Sequence, residues 1–315
     1  MSAPAASYGY LLLEPFEHYY SIGLFVVSGL SLLISTCFIF IIATKSPCFM
    51  KTYKYLLLNM YLWCIVSVVL LGVLVQPTIA SPFTCLKILG LAKFLLLYEM
   101  KFFVFFMYIA LGNFTISAAL IFFYKATVVY PRLPKVLTRT SVRILLAVVI
   151  HVGITVFVIL MLTFSFTPSK AMMKEENSQI FCLDFYMGTA VPLFPINYVL
   201  FMVGTTVACC MILAKIVGSQ TTTGRVSKRR TELNRKMNVT LVVLLAVTVA
   251  MGFFPCTVIV IFMMTGFNYT NVVMFVAMPA AICIPICDSI VLVSFIRPYQ
   301  KAFLSFLSRL TCHNK

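Results

Sequence analysis

Seven stretches of this chain run for about twenty residues almost without a charge, close to the length a helix needs to cross a bilayer core of about 30 Å. They fall at roughly 21–44, 55–76, 100–124, 144–167, 187–214, 239–264 and 272–296. They are too long and too uniformly apolar for barrel strands, which alternate polar and apolar residues over about ten positions. In lipid a backbone must satisfy its own N–H and C=O groups, so each run reads as a helix. The composition leaves no soluble alternative. It is 62% hydrophobic and 10% charged, against about half and about a quarter in a soluble domain, and a water-facing surface cannot absorb that much apolar area. The expected fold is an all-α membrane protein, a seven-transmembrane helix bundle. The third run is the least regular. Apolar sequence begins near Ile88, but Lys93, Glu99 and Lys101 interrupt it, so its outer end is expected to protrude as helix.

The charges orient the bundle. Lys45, Lys51 and Lys54 lie between the first two runs, and Lys125, Arg132, Lys135, Arg139 and Arg143 between the third and fourth. Lys215, Arg225, Lys228, Arg229, Arg230, Arg235 and Lys236 lie between the fifth and sixth, and Arg297, Lys301, Arg309 and Lys315 follow the seventh. Alternating crossings put all four groups on one side. The other side keeps Lys87, Lys93, Lys101, Lys170 and Lys174, with Glu14, Glu17, Glu99, Glu175, Glu176 and Asp184. Basic loops stay cytoplasmic, which predicts one domain over 1–315 with an extracellular N-terminus (1–20) and a cytoplasmic tail (297–315). The net charge of +16 is therefore a topology and headgroup signal, not the basic patch of a nucleic-acid binder. Residues 1–20 carry no Lys or Arg, so the basic start of a cleaved leader is missing and the first span reads as an uncleaved anchor.

Several functions fall away. The eleven Cys include no CxxC pair and no partnering His cluster, so neither a zinc site nor another metal site or cofactor is expected. There is no HExxH, GxSxG or GxxxxGK[ST] motif, and the chain does not read as an enzyme. "GSQTTTG" (Gly218–Gly224) lacks the Lys of a phosphate loop and reads as a flexible connection. An odd number of spans with short loops argues against an inverted-repeat transporter, and no filter or ring of charge marks a channel. A G-protein-coupled receptor fits. A seven-span ligand-gated channel subunit or transporter acting without G protein is the alternative.

The third run ends "FFYKATVVY" without an acidic-Arg-Tyr triplet, and the seventh has no Asn-Pro-x-x-Tyr, so the largest receptor families are not matched. "MKTYKYLLLNMYLWCIVSVVLLGVLVQP" (Met50–Pro77) is similar to the second-span region of nematode chemosensory serpentine receptors, most of all class H. Leu57, Leu58, Asn59 and Trp63 carry the match, and Pro77 and Pro82 close it. "RRTELNRKMNVTLVV" resembles that family's basic entry into the sixth span, and "RPYQKAF" (Arg297–Phe303) its ending after the seventh. Gln300 stands where the family has Arg, and Tyr124-Lys125 replaces a polar end to the third span. The resemblance implies a receptor in the plasma membrane of sensory neurons, in their cilia, that answers an odorant or other small chemical cue through heterotrimeric G proteins. Oligomeric state is left open.

Individual residues are candidates within that frame. Cys85 and Cys182 are the Cys of the predicted outer loops. That side is oxidising, so they read as a bridge tying the second outer loop to the start of the third helix, or else as two free thiols. A cue-binding cavity is expected among the outer halves of the third, fifth, sixth and seventh spans. Tyr98, Glu99, Met100, Phe103, Phe185 and Tyr186 are candidate lining by depth. Asn113 and Asn197, at mid-span, are candidate ligand contacts or hydrogen bonds between helices. His151 reads as a hydrogen-bonded packing residue. Arg225, Lys228, Arg229, Arg230, Arg235 and Lys236 are candidate G-protein contacts, or simply cytoplasmic retention charges. Phe303, Phe306, Leu307 and Leu310 recur at helical spacing, which predicts a short amphipathic helix on the bilayer surface, and Cys312 behind it is a candidate palmitoylation site.

Asp288 is an acid in the otherwise uncharged run "AICIPICDSIVLVSF" (Ala281–Phe295), in the inner half of the seventh span after Pro285. A charged side chain at mid-bilayer costs about 2.5 kcal/mol or more, so it must face the bundle, be neutral or be hydrated. It reads as a switch together with Pro285, or as a static hydrogen bond that fixes the rotation of the span. The topology makes a direct prediction. Tags before Ser7 and at Thr222 should report opposite sides, the first labelled on intact cells and the second only after permeabilisation. Labelling at Thr222 on intact cells would overturn the orientation.

Overall fold

The computed structural model describes residues 6–46, 50–80, 85–95, 97–129, 139–165, 180–182, 193–220, 228–265 and 270–312. Helix α1 covers Ala6–Lys45, α2 Lys51–Val69 with a wide π turn over Leu70–Val75, α3 Leu97–Val129 and α4 Thr140–Ser165. Helix α5 covers Leu193–Gln220, and α6 runs through Lys228–Thr248, a π turn at Val249–Phe253 and Phe254–Thr265. Helix α7 is Thr270–Phe295 and α8 Arg297–Cys312. Helices α1 to α7 are each long and apolar enough to cross a bilayer, and α8 is a short amphipathic helix, the all-α architecture the hydropathy predicts.

The bundle sets small polar residues among its buried apolar side chains and turns many large apolar ones outward. On α1 the small residues Ser28, Ser31 and Ser35 are buried, while Val26, Leu33 and Phe40 are exposed. Lipid is as apolar as leucine, so helices gain little by hiding large side chains and associate instead through small residues that let backbones approach. Ser31 Oγ donates to the Ile282 carbonyl of α7 at 2.9 Å. Gly72 of α2 faces Ser28 so closely that a Cβ placed on it would lie 1.8 Å from Ser28 Oγ and 2.9 Å from Ser28 Cβ.

Two prolines shape the helix interruptions. Pro77 keeps the residue before it out of the helical region, and Gln76 takes a left-handed φ of 45°. The last turn of α2 widens to meet it, with Gln76 N–H reaching the Leu71 carbonyl at 3.1 Å. The buried Gln76 amide donates to the Gly72 carbonyl at 2.7 Å and accepts from Ser21 Oγ at 2.6 Å. In α6 the π turn lies immediately before Pro255, whose ring cannot share a regular turn with the preceding carbonyl.

After Gln76 the chain forms strands, which the hydropathy does not signal. β1 (Pro77–Ala80) pairs antiparallel with β2 (Cys85–Ile88), and β2 with β3 (Ile180–Cys182) from the connection between α4 and α5. Behind β2, Gly90 lies against α2, where a Cβ would meet the Leu74 carbonyl oxygen at 2.4 Å. A 3-10 turn at Leu91–Phe94 leads to α3. The region from Ile88 to Phe94, expected to extend the third helix, is thus strand end and tight turn, because Gly90 and the sheet pairing take up its backbone. An ion pair, Lys87 to Glu17 at 2.6 Å, ties β2 to α1.

The opposite end carries Lys45, Lys51, Arg143, Lys215, Lys236 and Arg297 and is called the basic end below. Among the described residues two large cores fill the bundle, beside a small third of Ile259, Met274 and Ala277. The one toward the sheet gathers Leu24, Leu71, Ile88, Val104 and Met107, and the one toward the basic end Leu57, Tyr61, Phe122, Leu241 and Leu292. Tyr299 docks α8 into the latter, fully buried, with its hydroxyl 3.0 Å from Ser46 Oγ.

The α1–α2 contact predicts that Gly72→Ala lowers the thermal midpoint of the purified chain, with an overpacking cost of about 1–3 kcal/mol. Adding Ser28→Gly, which removes two of the three close atoms and leaves the flexible end of Ile282 at 2.9 Å, should restore most of it. An unchanged midpoint in Gly72→Ala alone would mean that the helices do not approach this closely.

Candidate functional site

Among the described residues Asp288 is the most buried of the acidic and basic side chains. It is 2% exposed, and among the described residues its Oδ1 has no hydrogen-bond partner. The element that places it is α7, which carries both Pro279 and Pro285 in its interior. Pro285 is buried, and its carbonyl accepts from Ser289 Oγ at 2.7 Å. Ser289 Oγ in turn lies 3.0 Å from the hydroxyl of Tyr61 on α2. The neighbour of Asp288 is therefore tied to α2 while Asp288 itself is not. It lines a cavity between α2, α3, α5, α6 and α7, whose polar lining includes Thr115, Thr205, Thr206 and Thr248. The cavity lies at mid-bundle and toward the basic end, beside the π turn of α6, which contributes Val249 and Phe253.

A second polar group ties α2, α3 and α4. Asn59 Nδ2 donates to Ser117 Oγ at 2.8 Å and faces His151 Nε2 at 3.2 Å. His151 Nδ1 lies 2.6 Å from Asn113 Oδ1. Asn113 Nδ2 donates to Thr155 Oγ1 and to the Ile109 carbonyl. Because Asn59 presents an N–H to Nε2, that nitrogen accepts, and the ring proton sits on Nδ1, pointing at Asn113 Oδ1. Trp63 stacks on the imidazole, centroids 6.1 Å apart. The network holds α4, whose other buried groups are few, Ile154 and Leu162 among them.

The remaining candidates separate. Asn113 belongs to that network. Asn197 is half-buried on α5 and lines a crevice with Tyr108, Gly112, Ile154 and Phe201. Met100 is buried in the core toward the sheet, Phe103 packs half-buried against it, and Glu99 is exposed. Tyr98 lies in the first turn of α3, and its side chain is outside the described residues, as are Phe185 and Tyr186 altogether. The strand register sets Cys85 opposite Cys182. Cys85 lies on β2, not at the start of the third helix as the sequence suggests, so the two cysteines lie opposite each other on neighbouring strands of the sheet. At the basic end, Lys228, Arg229 and Arg230 begin α6, Arg235 is exposed and Lys236 half-exposed. Arg225 is outside the described residues, and Cys312 ends α8.

Sequence reasoning missed one feature of the basic end. Lys125 of α3 is 3% exposed, with its Nζ 3.9 Å from Met237 Sδ of α6, and the buried Asn238 beside Met237 has neither amide atom partnered among the described residues. The only sequence sign was the Tyr124-Lys125 pair itself, a cation ending an apolar run. The lysine side chain thus reaches from α3 to α6.

Among the described residues, no group of three or more His, Cys, Asp or Glu is placed to hold a metal ion. Comparison with curated proteins finds no match. The family described as "Serpentine type 7TM GPCR chemoreceptor Srh" matches residues 16–309, a stretch that takes in all seven spans, Asp288, the polar network and most of α8. The chain belongs to the Srh family of serpentine seven-transmembrane chemoreceptors.

Proposed function

We propose that this chain is a G-protein-coupled receptor that binds a small chemical cue at its extracellular sheet end and activates a heterotrimeric G protein at its cytoplasmic basic end. The observation that carries the reading is the family match over 16–309. The basic residues of the connections support the orientation, with the chain as a multi-pass protein of the plasma membrane, in the cilia of sensory neurons. The cue contacts Tyr98, Glu99, Phe103 and Asn197 on α3 and α5, with Phe185 and Tyr186 from the connection before α5. Met100 and Asn113 act behind them by packing. Lys228, Arg229, Arg230, Arg235 and Lys236, with Arg225 just ahead, face the G protein. Helix α8 lies in the headgroup layer, with Cys312 acylated.

Asp288 and Pro285 form the switch. A ligand shifts an equilibrium between packings only by binding one better than the other, so the switching element must have two arrangements of similar free energy. A buried carboxylate with an unpartnered oxygen is such an element, because it gains a hydrogen bond whenever a neighbouring helix moves one into reach.

Expression of the chain in cells that report G-protein activation, screened with small volatile and water-soluble cues, tests the function. A cue-evoked response lost on G-protein removal is expected. Cue-evoked current that persists without G protein would replace the reading with a channel. Asp288→Asn keeps size and hydrogen-bonding capacity while removing the cost of a buried charge, so surface abundance should hold or rise. Signalling per surface receptor should change several-fold, since about 1.4 kcal/mol is tenfold in the equilibrium. Normal signalling in both Asp288→Asn and Asp288→Leu would rule out the switch.

Cys85 and Cys182 form a disulfide in this reading. Opposed residues of antiparallel strands have Cα atoms about 4.5–5.5 Å apart, inside the range of about 4.4–6.8 Å for a bridge. Peptide mapping without reduction should recover the linked pair from surface-delivered protein, and two free thiols there would end the claim.

A further inference from the structure

The chemistry of the cavity beside Asp288 is one-sided. Its polar lining is Asp288 with the hydroxyls of Thr115, Thr205, Thr206 and Thr248 and the thiol of Cys209. Thr115, Thr205 and Thr248 donate their hydroxyl hydrogens to the carbonyls of their own helices, at Leu111, Phe201 and Leu244, with distances of 3.0, 2.8 and 2.9 Å. What these three groups turn outward is lone pairs. With the unpartnered Asp288 Oδ1, the cavity presents hydroxyl oxygens and one carboxyl group. No Lys, Arg or His lines it. The cavity measures about 50 Å³, room for a few water-sized occupants at the roughly 10–15 Å³ that one needs. A drug-sized ligand takes roughly 300–1,000 Å³, so an organic cue does not fit beside Asp288 in this packing.

We propose that this cavity is a binding site for a small monovalent cation, with Asp288 as the charged ligand and threonine hydroxyls and water completing an oxygen shell. Oxygen donors select hard cations over the softer transition metals. A single carboxylate balances a single charge, whereas a divalent ion would leave a net positive charge inside the bilayer. A cation at this point belongs to the packing seen here, because the lining comes from five helices and a movement of α6 or α7 would separate the hydroxyls from the carboxylate. The site extends the switch reading of Asp288 by naming what neutralises it. Its test reads folding stability and needs neither a cue nor a G protein, so the two fail separately.

The experiment uses the full chain, purified in lipid nanodiscs, with NaCl or KCl exchanged for choline chloride at constant ionic strength. Choline is too large for the cavity and serves as the blank. A ligand that binds the folded form alone stabilises it by an amount that grows with the logarithm of one plus its concentration over Kd. Replacing choline by about 0.15 M of the bound ion, a physiological ionic strength, should therefore raise the thermal midpoint by roughly 2–4 °C. The more effective of Na+ and K+ identifies the ion. Asp288→Asn should fold at least as well in choline and lose the response. Thr248→Val, which keeps the shape and the charge, should shift the half-maximal concentration upward several-fold. A wild-type midpoint equal in all three salts would mean that Asp288 is simply a neutral acid and would overturn the site. The same rise in Asp288→Asn would place the effect elsewhere and overturn it equally.

Discussion

Water is missing from the interior of a bilayer, and every donor and acceptor of this chain between the headgroups must find its partner within the protein. Helix supplies this for the backbone. For side chains the constraint is harsher, because the groups that help helices approach are the ones that need partners. The chain answers mostly with local bonds. Ser35, Ser67, Thr155 and Ser289 return their hydroxyl hydrogens to carbonyls one turn earlier. That removes the polar cost, keeps the residue small and leaves a lone pair free. The interior is then assembled from surfaces that are narrow and already satisfied, and closeness of contact replaces hydrophobic driving force.

Against that background the exceptions are informative. The Asn59–Ser117–His151–Asn113–Thr155 set is closed, with each member supplying what the next requires, and it joins three helices at fixed distances. Asp288 and Asn238 are not closed, and both lie on helices that meet near the basic end. Polar closure ties α2, α3 and α4 into a frame, whereas α6 and α7, like α1 at Tyr20 and Ser28, carry open polar groups. The π turn at Val249–Phe253 and the two prolines of α7 interrupt the regular backbone bonds of α6 and α7. Interhelical polar pairs average well under about 2 kcal/mol in membranes, so a frame needs several of them together.

The helices were legible because hydropathy over about twenty residues averages away local detail. Asp288 was legible for a related reason, since an acid in an apolar run has few places to go other than the bundle interior. His151 was correctly read as a packing residue, but its pairing with Asn113 was not visible. The two are separated by a connection of unknown path, and nothing in either run marks the other as its partner. The sheet was illegible on both counts. Its strands are three or four residues long, too short for a periodic signal, and β2 pairs with β3 across two helices. Only Gln76 before Pro77 hinted that the chain reverses there. The candidate cue residues were chosen by depth alone. Depth cannot separate a residue facing a cavity from one facing the core: Met100 lies in the core toward the sheet, and Asn113 hydrogen-bonds to Thr155 of the next helix.

The register of the sheet carries a consequence for how such a chain can change its length. Side chains alternate across a strand, so one residue gained or lost within β2 would exchange its two faces. Leu86, now buried, would trade places with Lys87, and Cys85 would leave its position opposite Cys182. Because β2 is fixed at one side by β1 and at the other by β3, neither neighbour is free to slide and compensate. The constraint falls on the paired residues themselves, 77–80, 85–88 and 180–182. The sheet therefore acts as a ruler laid across the mouth of the bundle, holding the α2–α3 and α4–α5 connections to a common measure.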